Sequence, residues 1–193
     1  MTVLCFGDSN TYGYDPRSFL GERYPADIRW TGLLSRETGW RVLEAGQNGR
    51  EIPHTPAALD ALGRLPERCG PPDAAVVMLG GNDLLQGLDA AGAADRMERC
   101  LRRLLDALPP EAILLTAPPA MVRGAWVAED RLVEESARLA EQYEALARRL
   151  GVRFADAGKW GVELLFDGVH FSEAGHRTFA HNIRICLEAM VCS

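Results

Sequence analysis

The sequence lacks the features that define several large classes of protein. Its 193 residues contain no apolar run near the roughly 20 residues that span a bilayer, and no basic start followed by an apolar stretch that would indicate a signal peptide. No segment is rich in lysine and arginine, and the net charge of -6 at pH 7 opposes binding to the nucleic-acid backbone. We therefore expect a cytoplasmic protein that binds neither membranes nor nucleic acid.

Clusters of cysteine and histidine are missing as well. The five cysteines are an odd number and form no C-x-x-C pair, which fits reduced thiols and argues against a disulfide framework or a zinc site. They are Cys5, Cys69, Cys100, Cys186 and Cys192. The four histidines include no H-E-x-x-H or other spaced ligand set. We therefore expect neither a metal nor another cofactor.

What is present is the composition of an ordinary globular domain. Hydrophobic residues make up 47% of the chain and charged residues 25%. No internal repeat or linker is visible, and the length suits one domain with a large apolar core. We predict a single domain over residues 1–193.

Short apolar runs alternate with helical patterns along the chain. The runs lie at residues 3–6, 42–46, 74–79, 112–116 and 152–155. Segments that are apolar throughout are typical of strands buried on both faces. Between them, leucines recur at spacings of three and four, and Ser172 is expected to cap the last helix. The alternation predicts a parallel sheet covered by helices on both faces.

The loops that follow these strands are where a ligand is expected, because open α/β sheets bind ligands beyond the carboxyl ends of their strands. Ser9 follows the first run in a turn opened by Gly7, at the start of a helix. There its backbone N–H would favour negative charge. A serine at this position is also a common helix cap, so Ser9 alone does not establish a nucleophile.

Two further loops offer hydrogen-bond donors. The GGND sequence at residues 80–83 follows the third run, and the amide of Asn82 could donate to an oxyanion. Its neighbour Asp83 either orients the loop or caps the next helix. The second run leads into GQNGR at residues 46–50, whose glycine N–H groups could serve as donors. Each of these loops is also readily explained as a plain turn.

The DGVH sequence at residues 167–170 supplies an acid and a base three residues apart. The unperturbed pKa of histidine, about 6.5, suits general-base work near neutrality. Asp167 could hold the Nδ1 proton of His170 and so fix its tautomer. Taken with Ser9 and Asn82, these residues provide a nucleophile, an oxyanion donor, a base and its orienting group at one sheet edge.

Three of these segments together resemble the SGNH (GDSL-like) hydrolase family over nearly the whole chain. GDSN at residues 7–10 resembles its first block, GGND its G-x-N-D block and DGVH its D-x-x-H block. Blocks in this order and at these separations are jointly very specific. The resemblance implies a flavodoxin-like three-layer α/β/α sandwich with a five-stranded parallel sheet.

Within that family the sequence resembles the arylesterase and acyltransferase branch. LCFGDS at residues 4–9 and IRWTG at residues 28–32 carry this similarity, and the segment APP at residues 117–119 agrees with it. Asn10 departs from the pattern, since many members carry leucine there, and the segment after Arg50 is shorter than is usual in the branch.

The resemblance also implies roles for individual residues. The catalytic residues would be Ser9, Asp167 and His170. The oxyanion would be received by the Ser9 N–H, the Gly49 N–H and the Asn82 side chain. The family's glycine donor usually ends a short loop after the second strand, which favours Gly49 over Gly46.

The aromatic residues and prolines near these loops predict a small apolar pocket, although some of them could equally belong to the core. Tyr14 and Met121 lie near the same loops, and the predicted substrate-binding residues are Tyr12, Trp30, Pro119 and Trp126. Because a chain of this length has no room for a large lid, we expect a serine esterase for short-chain acyl esters of small molecules. Acyl transfer to alcohols is a further expectation, and the leucine- and alanine-rich helices are compatible with a homo-oligomer.

Other functions stay open at this point. A thioesterase or lysophospholipase, or a carbohydrate O-acetyl esterase, would use the same residues. A flavodoxin-like nucleotide or flavin binder would instead use residues 7–13 to hold a phosphate. That function would not require Asp167 and His170, and the sequence lacks a Walker-type lysine. A catalytically silent binding domain is the last alternative.

Overall fold

Five parallel strands form the central sheet. The computed structural model describes residues 1–18, 20–65 and 70–191. Its strands are β1 (Thr2–Gly7), β2 (Arg41–Gly46), β3 (Ala74–Met78), β4 (Ile113–Ala117) and β5 (Arg153–Asp156). They pair in the order β2-β1-β3-β4-β5, each neighbour in parallel. The predicted parallel sheet is confirmed, with each apolar run forming a strand close to its expected position.

Helices connect the strands and cover both faces of the sheet. They are α1 (Ser9–Tyr12), α2 (Trp30–Thr38), α3 (Pro56–Gly63), α4 (Gly81–Leu85), α5 (Ala90–Leu105), α6 (Asp130–Leu150) and α7 (Glu173–Val191). Short 3₁₀ turns lie at Pro110–Ala112 and Ala157–Lys159. Ser172 caps α7 as predicted, since its hydroxyl accepts the Gly175 N–H at 3.0 Å.

Alternation along β1 explains why its sequence is apolar throughout. Leu4 and Phe6 belong to the core on one face of the sheet, which α5 and α6 cover. Val3 and Cys5 belong to the core on the other face, which α2 and α7 cover. Because successive strand residues point to opposite faces, a strand between two helical layers is apolar at every position. The layers therefore form the α/β/α sandwich implied by the resemblance.

Strand register brings the functional loops to one edge. Gly7 at the end of β1 aligns with Gly46 of β2 and Met78 of β3, so the three strands end together. A Cβ atom on Gly7 would lie 2.1 Å from the Thr11 hydroxyl and 2.9 Å from the Met78 carbonyl. Only glycine therefore allows α1 to begin immediately beyond the strand.

The described cysteines fit the expectation of reduced thiols. Cys5, Cys100 and Cys186 are free, and burial raises the pKa of the Cys100 thiol to about 12. Cys69 and Cys192 lie outside the described residues. No helix within residues 1–18, 20–65 and 70–191 is long and apolar enough to cross a membrane.

Candidate active site

Ser9 occupies the first turn of α1, directly beyond the sheet. Asp8 precedes it and caps the helix, because its carboxylate accepts the Asn10 N–H at 2.9 Å. Burial raises the pKa of Asp8 to about 6, and the hydrogen bond from Asn10 offsets only part of that effect. Asp8 therefore braces the turn that presents Ser9.

A continuous hydrogen-bonded chain links Ser9 to His170 and Asp167. The Ser9 hydroxyl lies 2.9 Å from His170 Nε2, and His170 Nδ1 lies 2.7 Å from the Asp167 carboxylate. All three side chains are buried. Because a carboxylate can only accept, Nδ1 carries the proton toward Asp167 and Nε2 is left to accept the Ser9 proton. The arrangement can activate a serine as a nucleophile.

The turn that carries His170 is organised by Asp167. Its other carboxylate oxygen accepts the backbone N–H groups of Val169 and His170, each at 2.9 Å. Burial acts to raise the pKa of Asp167. The hydrogen bonds from the His170 ring and from the two amides outweigh it, so the pKa lies below its usual value. Asp167 is therefore ionised at neutral pH and fixes the orientation of the imidazole.

A cavity of about 280 Å³ opens beside Ser9. Its lining includes the predicted oxyanion donors Gly49 and Asn82. Gly46 faces elsewhere: it pairs with Gly7 in the sheet, and a Cβ atom there would lie 2.2 Å from the backbone nitrogen of Tyr12. Geometry therefore favours Gly49 over Gly46 as the backbone donor.

The GGND segment holds the loop that carries Gly49. The Asn82 side chain donates one N–H to the Arg50 carbonyl at 3.0 Å, which leaves its second N–H for the cavity. Asp83 is fully buried and accepts the Ile52 N–H at 3.0 Å and Arg96 Nη1 at 2.8 Å. Of the two roles expected for Asp83, orientation of the loop is thus the one its contacts support.

Two of the four predicted substrate-binding residues line cavities at Ser9. Trp126 lines the larger cavity, and Pro119 lines a second one of about 20 Å³ that Ser9 and Asn82 also line. Tyr12 lines neither, because its ring lies against the Arg23 guanidinium, 4.4 Å from the ring centroid.

The prediction that Trp30 binds the substrate is wrong. It is fully buried and packs on Phe179 at a centroid distance of 4.9 Å, while its indole N–H donates to the Asn10 carbonyl at 3.0 Å. A side chain enclosed between α2 and α7 cannot contact a substrate, so Trp30 is a core residue.

Aromatic rings flank the imidazole on the open side of the site. Tyr14 and Trp126 each meet the His170 ring edge-on with centroids 4.9 Å apart, and Trp126 is 50% exposed. Tyr14 lines the larger cavity, in keeping with its position near the first loop, although it is not one of the four predicted substrate-binding residues. Across the part of the chain that the structure describes, no group of three or more His, Cys, Asp or Glu side chains could hold a metal ion.

Comparisons with known proteins agree with this geometry. The profile of the GDSL-like Lipase/Acylhydrolase family matches residues 5–178. A putative arylesterase from Agrobacterium tumefaciens is 32% identical with a TM-score of 0.85, covering 98% of this chain and 99% of that chain. The aryl esterase of M. smegmatis is 26% identical with a TM-score of 0.84 and the same coverage. A carbohydrate acetylesterase from Sinorhizobium meliloti is 26% identical with a TM-score of 0.85, again with that coverage. No curated protein matches the chain.

Proposed function

This chain belongs to the GDSL-like Lipase/Acylhydrolase family and is an ester-hydrolysing enzyme, and we propose that Ser9, His170 and Asp167 are its catalytic residues. The observation that carries the proposal is the hydrogen-bonded chain from the Ser9 hydroxyl through His170 to Asp167, at 2.9 and 2.7 Å. This is the geometry that a nucleophile, its general base and the orienting acid require.

The proposed reaction passes through an acyl-enzyme. His170 Nε2 takes the Ser9 proton as Oγ bonds to the ester carbonyl carbon, and the carbonyl electrons move to its oxygen. The Ser9 and Gly49 N–H groups and the Asn82 amide receive that oxyanion. His170 then gives its proton to the alcohol oxygen as the C–O bond breaks. Water attacks the acyl-enzyme with His170 again as base, releasing the acid and restoring Ser9.

The acyl group proposed for this site is short. Because His170 must protonate the leaving alcohol, the alcohol belongs in the cavity that His170 lines, and the acyl group belongs on the opposite side of Ser9. We assign the acyl group to the cavity of about 20 Å³ that Ser9, Asn82, Pro119 and Met121 line and that His170 does not. A space of this size accommodates little more than one water-sized group. It favours acetyl esters and disfavours the long acyl chains of a thioesterase or lysophospholipase substrate.

The alcohol proposed for this site is apolar or aromatic. Tyr14 and Trp126 present rings at the mouth of the larger cavity, and rings of this kind stack favourably on flat apolar groups. Similarity to the two arylesterases supports the same choice. A carbohydrate acetylesterase is the second candidate, favoured by the similarity to the Sinorhizobium meliloti enzyme. Acyl transfer to alcohols is a further proposal. It is supported by the rings of Tyr14 and Trp126, which would favour an apolar alcohol over water as the group that attacks the acyl-enzyme.

We also propose a cellular location and partners for the enzyme. A cytoplasmic location fits the free thiols of Cys5, Cys100 and Cys186. A small-molecule ester is the proposed partner, without a metal or other cofactor, and assembly into a homo-oligomer is compatible with the helical surface.

The deciding experiment compares hydrolysis of p-nitrophenyl acetate, butyrate and octanoate at pH 8 by the wild type and Ser9→Ala. We expect turnover that falls from acetate to octanoate and is abolished in Ser9→Ala. Equal turnover by both proteins would refute Ser9 as nucleophile, and a rise toward octanoate would refute the short acyl site. A yellow protein or co-purified nucleotide would favour the flavodoxin-like alternative.

A further inference from the structure

Asn10 joins the serine helix to the histidine turn. Its side-chain N–H donates to the Val169 carbonyl at 3.1 Å, and its side-chain oxygen accepts the Phe171 N–H at 2.9 Å. The two backbone groups it binds belong to the residues immediately before and after His170. Asn10, which follows Ser9 in sequence, thus binds the backbone on both sides of His170, the proposed base.

The backbone of Asn10 is itself held by the helix cap Asp8 and by the core residue Trp30. Its backbone N–H donates to the Asp8 carboxylate at 2.9 Å, and its carbonyl accepts the Trp30 indole N–H at 3.0 Å. Asn10 is buried, and Trp30 is fully enclosed against Phe179. A buried residue whose backbone is held at both its N–H and its carbonyl can transmit the position of α1 to the turn that its side chain binds.

Asn10 supplies the side-chain hydrogen bonds that attach the histidine turn to the serine helix. Asp167 holds Val169 and His170 within the turn, so acid and base form one local unit. Within the described residues, the hydrogen bonds from α1 to this unit and Phe171 are the two from the Asn10 side chain and the Ser9–His170 bond itself. Backbone hydrogen bonds from Trp126 to Asp167 and from Leu165 to His170, at 3.0 and 2.7 Å, hold the turn from other parts of the chain. Removing the Asn10 bonds would therefore leave the acid–base pair and its turn intact but would loosen their attachment to the helix that carries Ser9.

We propose that Asn10 is a positioning residue that sets the separation of Ser9 and His170. The inference rests on the proposed function, because it requires Ser9 to be the nucleophile and His170 its base. A displacement of about 1 Å at such a pair costs on the order of 10²-fold in rate. Acylation of Ser9 therefore depends on the side-chain amide of Asn10, whose nitrogen and oxygen both bind the histidine turn.

The test replaces Asn10 by leucine, which has nearly the same size and no hydrogen-bonding group. In Asn10→Leu, kcat for p-nitrophenyl acetate and the rate of covalent inactivation by an organophosphonate fall by about 10²-fold, while KM stays within about twofold of the wild type. The downfield proton resonance of the His170–Asp167 bond persists, because that pair remains together. Asn182→Leu is the matched control: Asn182 also binds a backbone carbonyl, that of Thr178 at 2.9 Å, and its loss leaves both rates unchanged.

A second variant guards against a failure to fold. Asn10→Asp keeps the size and the acceptor but places a carboxylate against the Val169 carbonyl, and kcat falls again with KM little changed. Rates within twofold of the wild type in either folded variant would overturn the inference, as would loss of the downfield resonance together with activity. Ser9→Ala distinguishes a failure of the proposed function from a failure of this inference. An active Ser9→Ala would refute the proposed function. An inactive Ser9→Ala together with a fully active Asn10→Leu would refute only the positioning role of Asn10.

Discussion

Acidification should destabilise this protein through His176, which α7 buries in the core next to the active site. The imidazole is fully enclosed, with its ring edges against Tyr24 and Phe171 at centroid distances of 5.1 and 5.4 Å. Nδ1 accepts the Trp30 N–H at 3.3 Å, while Nε2 has no hydrogen-bond partner within the described residues. Such a site accepts a neutral ring and penalises a charged one.

The size of the effect follows from the pKa. Burial lowers the pKa of His176 from 6.5 to about 3, and the basic groups of His170 and Arg29 act in the same direction. A pKa lowered by folding means that the stabilisation is present above pH 6.5 and is lost as the pH falls toward 3. By proton linkage, the loss at pH 5 is about 2 kcal/mol. That is a large share of the stability of a typical domain.

The measurement is urea unfolding at pH 7 and pH 5, followed by tryptophan fluorescence. His176→Asn keeps a group that can accept the Trp30 N–H but does not titrate, so it should lose about 2 kcal/mol less stability than the wild type on acidification.

Asp8 acts in the opposite sense, because its pKa is raised to about 6 and its protonation at pH 5 favours the folded state. Asp8→Asn should therefore be about 1 kcal/mol more sensitive to acid than the wild type.

His181 provides the matched control because it lies on the same helix but is exposed. His181→Asn should leave the difference between pH 7 and pH 5 unchanged. If His176→Asn loses as much stability on acidification as the wild type, the buried neutral histidine is not the acid-sensitive group and the reasoning is wrong.

Three further predictions concern the site and the turn beneath it. Asp167→Asn should retain the fold but lower kcat about 10⁴-fold in steady-state assays, because an amide no longer selects the correct imidazole tautomer. Asn82→Ala should lower kcat about 10²–10³-fold through loss of an oxyanion donor. Gly80→Ala should destabilise by about 2–4 kcal/mol in urea unfolding, because Gly80 has φ 123° and a Cβ atom would lie 2.6 Å from the Tyr143 hydroxyl. Gly39→Ala should cost only about 1 kcal/mol, since Gly39 has φ 71° with nothing within 4 Å of the added carbon.

Each of these predictions has a contradicting result. Near-wild-type turnover in Asp167→Asn would remove Asp167 from the mechanism. An Asn82→Ala variant that changes KM alone would indicate a role in binding and not in stabilising the oxyanion. Equal destabilisation by the substitutions at Gly80 and Gly39 would show that the contact with Tyr143 adds nothing to the backbone strain.

Local patterns in the sequence were sufficient for the architecture and for identifying the residues of the proposed site. The strands could be located because a continuous apolar run predicts a strand buried on both faces, even when the strands that pair with it are unknown. Asp167 and His170 lie three residues apart, so one turn dictates their contact. Ser9 was recognisable because a helix that starts beyond a glycine at a strand end is itself a local feature.

Only the tertiary structure decided which neighbours each of these residues meets. Trp30 and Trp126 both stand near the loops of the site in sequence. Packing between α2 and α7 encloses Trp30, whereas Trp126 remains half-exposed. Strand pairing places Gly46 within the sheet, whereas Gly49 lines the cavity at Ser9. Asn10 contacts backbone groups about 160 residues away, and no pattern near position 10 encodes a contact of that range. The local sequence specifies which groups are available, and the register of the parallel strands determines which of them meet.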